Sequence, residues 1–93
     1  MTFPVLVGKT TTATGAAMGM GEATARLFAE AGANVVVADF NEEKGTAVAR
    51  SIATDTGAKV IFVNVDVSDS AQVQAMVART VEEFGELNVA VNN

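Results

Sequence analysis

The most informative stretch of this sequence is TGAAMGMG, residues 14–21, which places glycines at positions 15, 19 and 21. An amphipathic helical pattern follows it directly. A chain that turns tightly and then starts a helix needs backbone angles that glycine adopts freely. Backbone N–H groups at a helix N-terminus favour a phosphate, provided that no Cβ blocks its approach. We assign Gly15 to the turn, Gly19 to the close approach and Gly21 to helix–strand packing; a merely flexible loop is the alternative.

The rest of the chain alternates between strand and helix patterns. Continuous rather than alternating apolar runs are typical of strands covered on both faces, as in parallel sheets. The threonine-rich residues 9–13 occupy the place of a first strand, and the later runs cover residues 34–39, 59–67 and 87–91. Helical patterns cover residues 19–31, run from a cap at Asn41 to about Gly57, and run from a cap at Ser68 or Asp69 to Gly85. Apolar residues at helical spacing predict the buried faces of the first and third helices. These stripes are Met20, Ala23, Leu27, Phe28 and Ala31 in the first, and Val73, Met76, Val77, Val81 and Phe84 in the third. This order predicts a Rossmann-type α/β fold, a parallel sheet of strand order 3-2-1-4 with helices on both faces.

Composition excludes several classes of protein. The chain has 93 residues, 49% of them hydrophobic, and a net charge of −5, which argues against nucleic-acid and anionic-membrane partners. It contains no Cys and no His, so disulfides and the common zinc ligands are absent, and we predict no metal site. Its apolar runs are too short to span a bilayer. Its start lacks the basic region of a signal peptide, so we expect none. We expect a small, soluble, cytoplasmic domain.

Asp39 closes the second strand, 18 residues after Gly21. Dinucleotide-binding folds place an acid there to bind the ribose hydroxyls. A carboxylate at that point also repels the 2′-phosphate of NADP, so the residues favour NAD. The alternative is an acid that only serves the turn before Asn41.

A second phosphate-binding pattern, Gly8-Lys9-Thr10, matches the end of a P-loop. That loop requires a glycine at position 3, where this chain has Phe3. A bulky side chain is incompatible with the turn, so we set the P-loop aside.

Three segments together resemble the short-chain dehydrogenase/reductase family over residues 8–93. They are the glycine turn of residues 14–21, the pair Asp66-Val67 after the third strand and Val91-Asn92-Asn93 after the fourth. By this resemblance Asp66 contacts the adenine amino group, Val67 flanks the ring, Asn92 ties neighbouring strands together and Asn93 contacts the cofactor through its main chain. A strand-end acid and a polar turn are the alternatives. The predicted cofactor-binding residues are Gly15, Met18, Gly19, Met20, Gly21, Asp39, Phe40, Asp66, Val67 and Asn93.

Three features depart from the family's pattern. The first strand carries threonines where an apolar run is usual, and buried hydroxyls need partners. Met18 stands where a small polar residue is frequent, and a thioether cannot donate a hydrogen bond to a phosphate. The chain contains no Tyr, although the family's catalytic set is a Ser with Tyr-x-x-x-Lys. We therefore assign no catalytic residue.

The resemblance implies the NAD-binding half, residues 1–93, of an oxidoreductase that transfers hydride between nicotinamide and an alcohol or ketone. It lacks the catalytic half. The fourth strand and part of one sheet face lack cover, which another subunit or later segments of a longer chain would supply, and we expect a homo-oligomer. The alternative function is a non-catalytic nucleotide-binding or structural half-domain.

Overall fold

The computed structural model describes residues 7–15 and 19–92, with the side chains of residues 90–92 excepted. Strands and helices alternate in the order β1 (Thr10–Thr14), α1 (Gly19–Glu30), β2 (Asn34–Asp39), α2 (Glu42–Thr56), β3 (Val60–Asn64), α3 (Ser70–Phe84) and β4 (Val89–Asn92). The four strands form one parallel sheet in the order β3-β2-β1-β4. The predicted parallel α/β fold is confirmed.

The sheet carries helices on both faces. On one face α1 and α2 pack over the larger core, whose centre includes Ala13, Val37 and Ile52. On the other face α3 packs over a smaller core around Val65 and Met76. The first core draws on two helices and three strands, so it is the main source of hydrophobic stabilisation.

Three predicted strands have different bounds in the structure. β1 covers Thr10–Thr14 rather than residues 9–13. β3 ends at Asn64 rather than at residue 67, because Asn64 pairs with Asp39, the last residue of β2, and has no partner strand beyond it. β4 begins at Val89 rather than at Leu87. Its predecessor Asn88 bonds to β1 through its side chain, whose Oδ1 accepts from the Thr10 N–H at 2.8 Å.

The buried faces of two helices also differ from the predicted stripes. In α1 the small residues Gly21, Ala25 and Ala29 are buried, whereas Met20 and Leu27 are exposed. Small side chains let the helix axis approach the sheet closely, and the larger ones then point outward. In α3 the buried residues are Met76 and Thr80, while Val77 and Val81 are partly exposed. Within the described residues no helix is long and apolar enough to cross a membrane.

The threonines of β1 divide by face. Thr11 lies on the face of Ala13, and its hydroxyl donates to the backbone carbonyl of Asn34 at 3.1 Å. Thr10 and Thr12 point to the α3 side, because side chains alternate along a strand. Both are fully buried, and neither hydroxyl has a hydrogen-bond partner among the residues that the structure describes. The free-energy cost of burying hydroxyls without hydrogen bonds therefore arises at Thr10 and Thr12, on the face of β1 that is turned towards α3.

Gly45 allows α2 to lie directly on β3. A Cβ added there would overlap the aromatic ring of Phe62. We expect Gly45→Val to lower the free energy of unfolding by about 2–3 kcal/mol, the upper range for overpacking a core. Urea denaturation measures this loss. Phe62→Leu removes the obstructing ring, so the double variant should lose less than the sum of the single variants. Additive losses would show that the ring does not limit the approach of α2.

Candidate functional site

The predicted site residues that the structure describes lie at the carboxyl edge of the sheet. Thr14 is level with Ala38, so the next residues, Gly15 and Asp39, stand side by side on neighbouring strands. Asp66 follows two residues after the end of β3. The chain then crosses to the far side of β1, which makes the gap between β1 and β4 a topological switch point. Ligands of open α/β sheets bind in such a crevice.

The structure describes the two ends of the glycine turn, on either side of residues 16–18. Gly15 and Gly19 both adopt φ of 63°, in the left-handed region that favours glycine. Gly21 is buried in the first turn of α1. Outside its chain neighbours and its own helix backbone, no atom of the described residues lies within 4 Å of a Cβ placed on Gly19, so there is room for a ligand atom beside this glycine. Met18 and Asn93 lie outside the described residues.

Asp39 supports a turn as well as facing the site. Its Oδ1 accepts a hydrogen bond from the Asn41 N–H at 2.9 Å. Asn41 in turn caps α2, with its Oδ1 accepting from the Lys44 N–H at 3.0 Å. A carboxylate can accept several hydrogen bonds at once. The turn role and ribose binding are therefore chemically compatible.

Apolar side chains surround the same edge. Met20 is 81% exposed, Phe40 is 78% exposed and Val67 is 48% exposed. The Phe40 carbonyl accepts a hydrogen bond from Asn64 Nδ2 at 3.0 Å, which ties the start of the β2–α2 loop to β3. Each follows the carboxyl end of a strand, in the first turn of α1, directly after β2 and shortly after β3 respectively, and exposed large apolar side chains are frequent at binding sites. These three give a flat ring or ribose a surface to contact.

Asp66 lies in a turn that organises its carboxylate. Its Oδ1 accepts from the Ser68 hydroxyl at 2.6 Å and from the Ser68 N–H at 2.9 Å. These two bonds hold the pKa of the Asp66 carboxyl below its usual value, so it is ionised at neutral pH. The Asp66 N–H donates to Gln72 Oε1 at 2.8 Å.

Sequence reasoning did not identify Gln72 as part of this edge. Asp69 is the N-cap of α3, and Gln72 follows it by three residues. This is the spacing of a capping box, in which the third helical residue reaches back beyond the helix start. That spacing is the signal that would have identified Gln72.

Comparison with known proteins agrees with this geometry. Residues 15–93 match a family model described as enoyl-(acyl carrier protein) reductase. The short chain dehydrogenase/reductase astE of Aspergillus oryzae is 50% identical over 88 residues, which are 95% of this chain and 34% of that protein. The 3-oxoacyl-(acyl-carrier-protein) reductase FabG of Chlamydia muridarum is 44% identical over 96% of this chain and 36% of that protein.

Solved structures give the same result. The crystal structure of a short chain dehydrogenase from Mycobacterium smegmatis superposes with a TM-score of 0.93 at 37% identity, covering 99% of this chain and 39% of that one. The chain spans about a third of the length of the curated relatives named above. The family match over most of the chain, together with the shared fold, shows that the chain belongs to the short-chain dehydrogenase/reductase family.

Proposed function

We propose that this chain is the NAD-binding part of an oxidoreductase that transfers hydride between nicotinamide and an alcohol or ketone. One observation carries the proposal. The glycine turn that follows β1, with room beside Gly19 at the start of α1, and Asp39 at the end of β2 belong to neighbouring strands of the sheet. A diphosphate requires the first and an adenosine ribose requires the second. The relatives named above are a dehydrogenase/reductase and a reductase, which supports the same reaction class.

The glycine turn would hold the diphosphate. Gly19 leaves room for phosphate oxygens to approach the backbone, and the helix dipole of α1 favours their charge. Gly15 makes the turn, Gly21 keeps α1 close to the sheet, and Met18 and Met20 would flank the bound phosphates and ribose. Asp39 would accept hydrogen bonds from the ribose hydroxyls and repel a 2′-phosphate. We therefore propose NAD rather than NADP as the cofactor.

The adenine would lie over the ends of β2 and β3. Phe40 and Val67 offer exposed apolar surface, and the Asp66 carboxylate accepts from the exocyclic amino group. Asn93 would contact the cofactor through its main chain. Bound NAD supplies the hydride chemistry, and these residues bind and orient it.

Proton transfer is assigned to no residue of this chain, which contains no Tyr. We also propose that the protein is cytoplasmic and homo-oligomeric. Val77 and Val81 on the outer side of α3 are 37% and 44% exposed, which leaves apolar surface for another subunit to cover.

Gly19→Ala tests the phosphate site. The variant places a methyl group where the diphosphate would approach, so we expect NAD affinity to fall at least about tenfold. Backbone strain at positive φ should also cost about 1–2 kcal/mol of stability. Calorimetric titration with NAD measures the first effect, and urea denaturation measures the second.

Gly57→Ala is the matched control for this substitution. Gly57 has φ of 74° and open space around its Cβ position, but it caps α2 at the opposite edge of the sheet. It should lose similar stability and keep its NAD affinity. If the two variants bound NAD equally well, the diphosphate would not bind beside Gly19.

A further inference from the structure

The loop between β3 and α3, residues 65–69, is anchored at both ends. At one end Val65 is buried, and its N–H donates to the Asp39 carbonyl at 3.0 Å. At the other end Asp69 caps α3, with its Oδ1 accepting from the Ala71 N–H at 3.0 Å. Between these anchors Asp66, Val67 and Ser68 are exposed. The position of Asp66 therefore depends on hydrogen bonds rather than on packing.

Gln72 connects the middle of this loop to the helix. Its Oε1 accepts from the Asp66 N–H at 2.8 Å, and its Nε2 donates to Asp69 Oδ2 at 3.3 Å. The side chain thus bridges the helix cap and the main chain of Asp66. An additional backbone bond from the Asp69 N–H to the Asp66 carbonyl, at 3.0 Å, closes the turn. The Gln72 side chain therefore fixes the backbone N–H of Asp66.

The carboxylate of Asp66 is held by a separate contact. Both bonds from Ser68, through its hydroxyl and its N–H, fall on Oδ1. A donor that approaches from the solvent side would therefore meet Oδ2. The main chain is held by Gln72 and the side chain by Ser68, so the direction of Oδ2 follows from the two together.

We infer that Gln72 is a positioning residue, which sets the Asp66 carboxylate so that the site selects a purine with a 6-amino group. This inference rests on the proposed function. An adenine amino group donates a hydrogen bond to the carboxylate, whereas the 6-oxo group of hypoxanthine can only accept one. A carboxylate held in place discriminates between the two, and one that swings away with its loop discriminates less.

The test compares NAD with nicotinamide hypoxanthine dinucleotide by calorimetric titration. We expect the unaltered chain to bind NAD about tenfold more tightly, as for a hydrogen bond to a charged group. Gln72→Met keeps the length of the side chain and removes both hydrogen bonds, so this preference should fall to about twofold or less. Both affinities are measured on one sample, so a lower folded fraction affects them equally.

Two further variants separate positioning from general structure. Gln72→Glu keeps an oxygen that can accept from the Asp66 N–H, and the preference should return even if the added charge weakens both ligands. Gln74→Met makes the same substitution at an exposed position of α3, and it should leave the preference unchanged. If Gln72→Met kept the full preference for NAD, the inference about Gln72 would be wrong and the proposed function would stand. Failure of the unaltered chain to bind either dinucleotide would overturn the proposed function and the inference with it.

Discussion

Asp39→Ala should weaken NAD binding by about 1.5–3 kcal/mol, the range for a lost hydrogen bond to a charged group. The same variant should bind NADP at least as well as the unaltered chain does, because the carboxylate that repels the 2′-phosphate is gone. The preference for NAD over NADP should therefore be largely lost. Calorimetric titration with each cofactor measures both changes.

The turn role of Asp39 needs a control. Asp39 Oδ1 accepts from the Asn41 N–H, so alanine removes a structural contact as well as a charge. Asp39→Asn keeps an amide oxygen for that contact, removes the negative charge and replaces the second oxygen by an NH2 group. We expect it to gain NADP affinity while its thermal stability stays close to that of the unaltered chain. Unchanged affinities for both cofactors in the two variants would show that Asp39 serves the turn alone.

Thr10→Val and Thr12→Val together should raise the free energy of unfolding by about 2–4 kcal/mol. Each hydroxyl is buried without a hydrogen-bond partner in the described part of the chain, and such a group costs about 1–3 kcal/mol. Valine has nearly the same shape, so each hydroxyl is replaced without a cavity or a clash. Urea denaturation measures the gain as a higher midpoint at an unchanged slope.

Thr11→Val is the matched control on the same strand. The Thr11 hydroxyl donates to the Asn34 carbonyl, so its loss should cost about 0.5–1.5 kcal/mol. The sign of the effect should therefore alternate along β1. Destabilisation at all three positions would mean that Thr10 and Thr12 have polar partners in solution.

Local patterns were sufficient to predict the architecture but not the depth of packing. The run of residues 34–39 coincides with β2 because it is apolar and ends at an acid. The predicted buried face of α1 was wrong, because it included Met20 and Leu27, which are exposed. A hydrophobic pattern does not show that Ala25 and Ala29 permit the closest approach to the sheet, because that depends on the facing strand.

The candidate site divides in the same way. Gly15, Asp39 and Asp66 were predictable because parallel strands bring the residues after their carboxyl ends to one edge. Asn88 and Gln72 act through side-chain bonds to Thr10 and Asp66. Such bonds depend on the distance between elements after folding, so the composition of either segment alone does not reveal them.

The most direct test of NAD binding at this edge is calorimetric titration of the unaltered chain with NAD and, separately, with NADP. We expect saturable binding of one NAD per chain, with NADP at least about tenfold weaker because of Asp39. Absence of saturable heat with NAD, or tighter binding of NADP, would contradict the account.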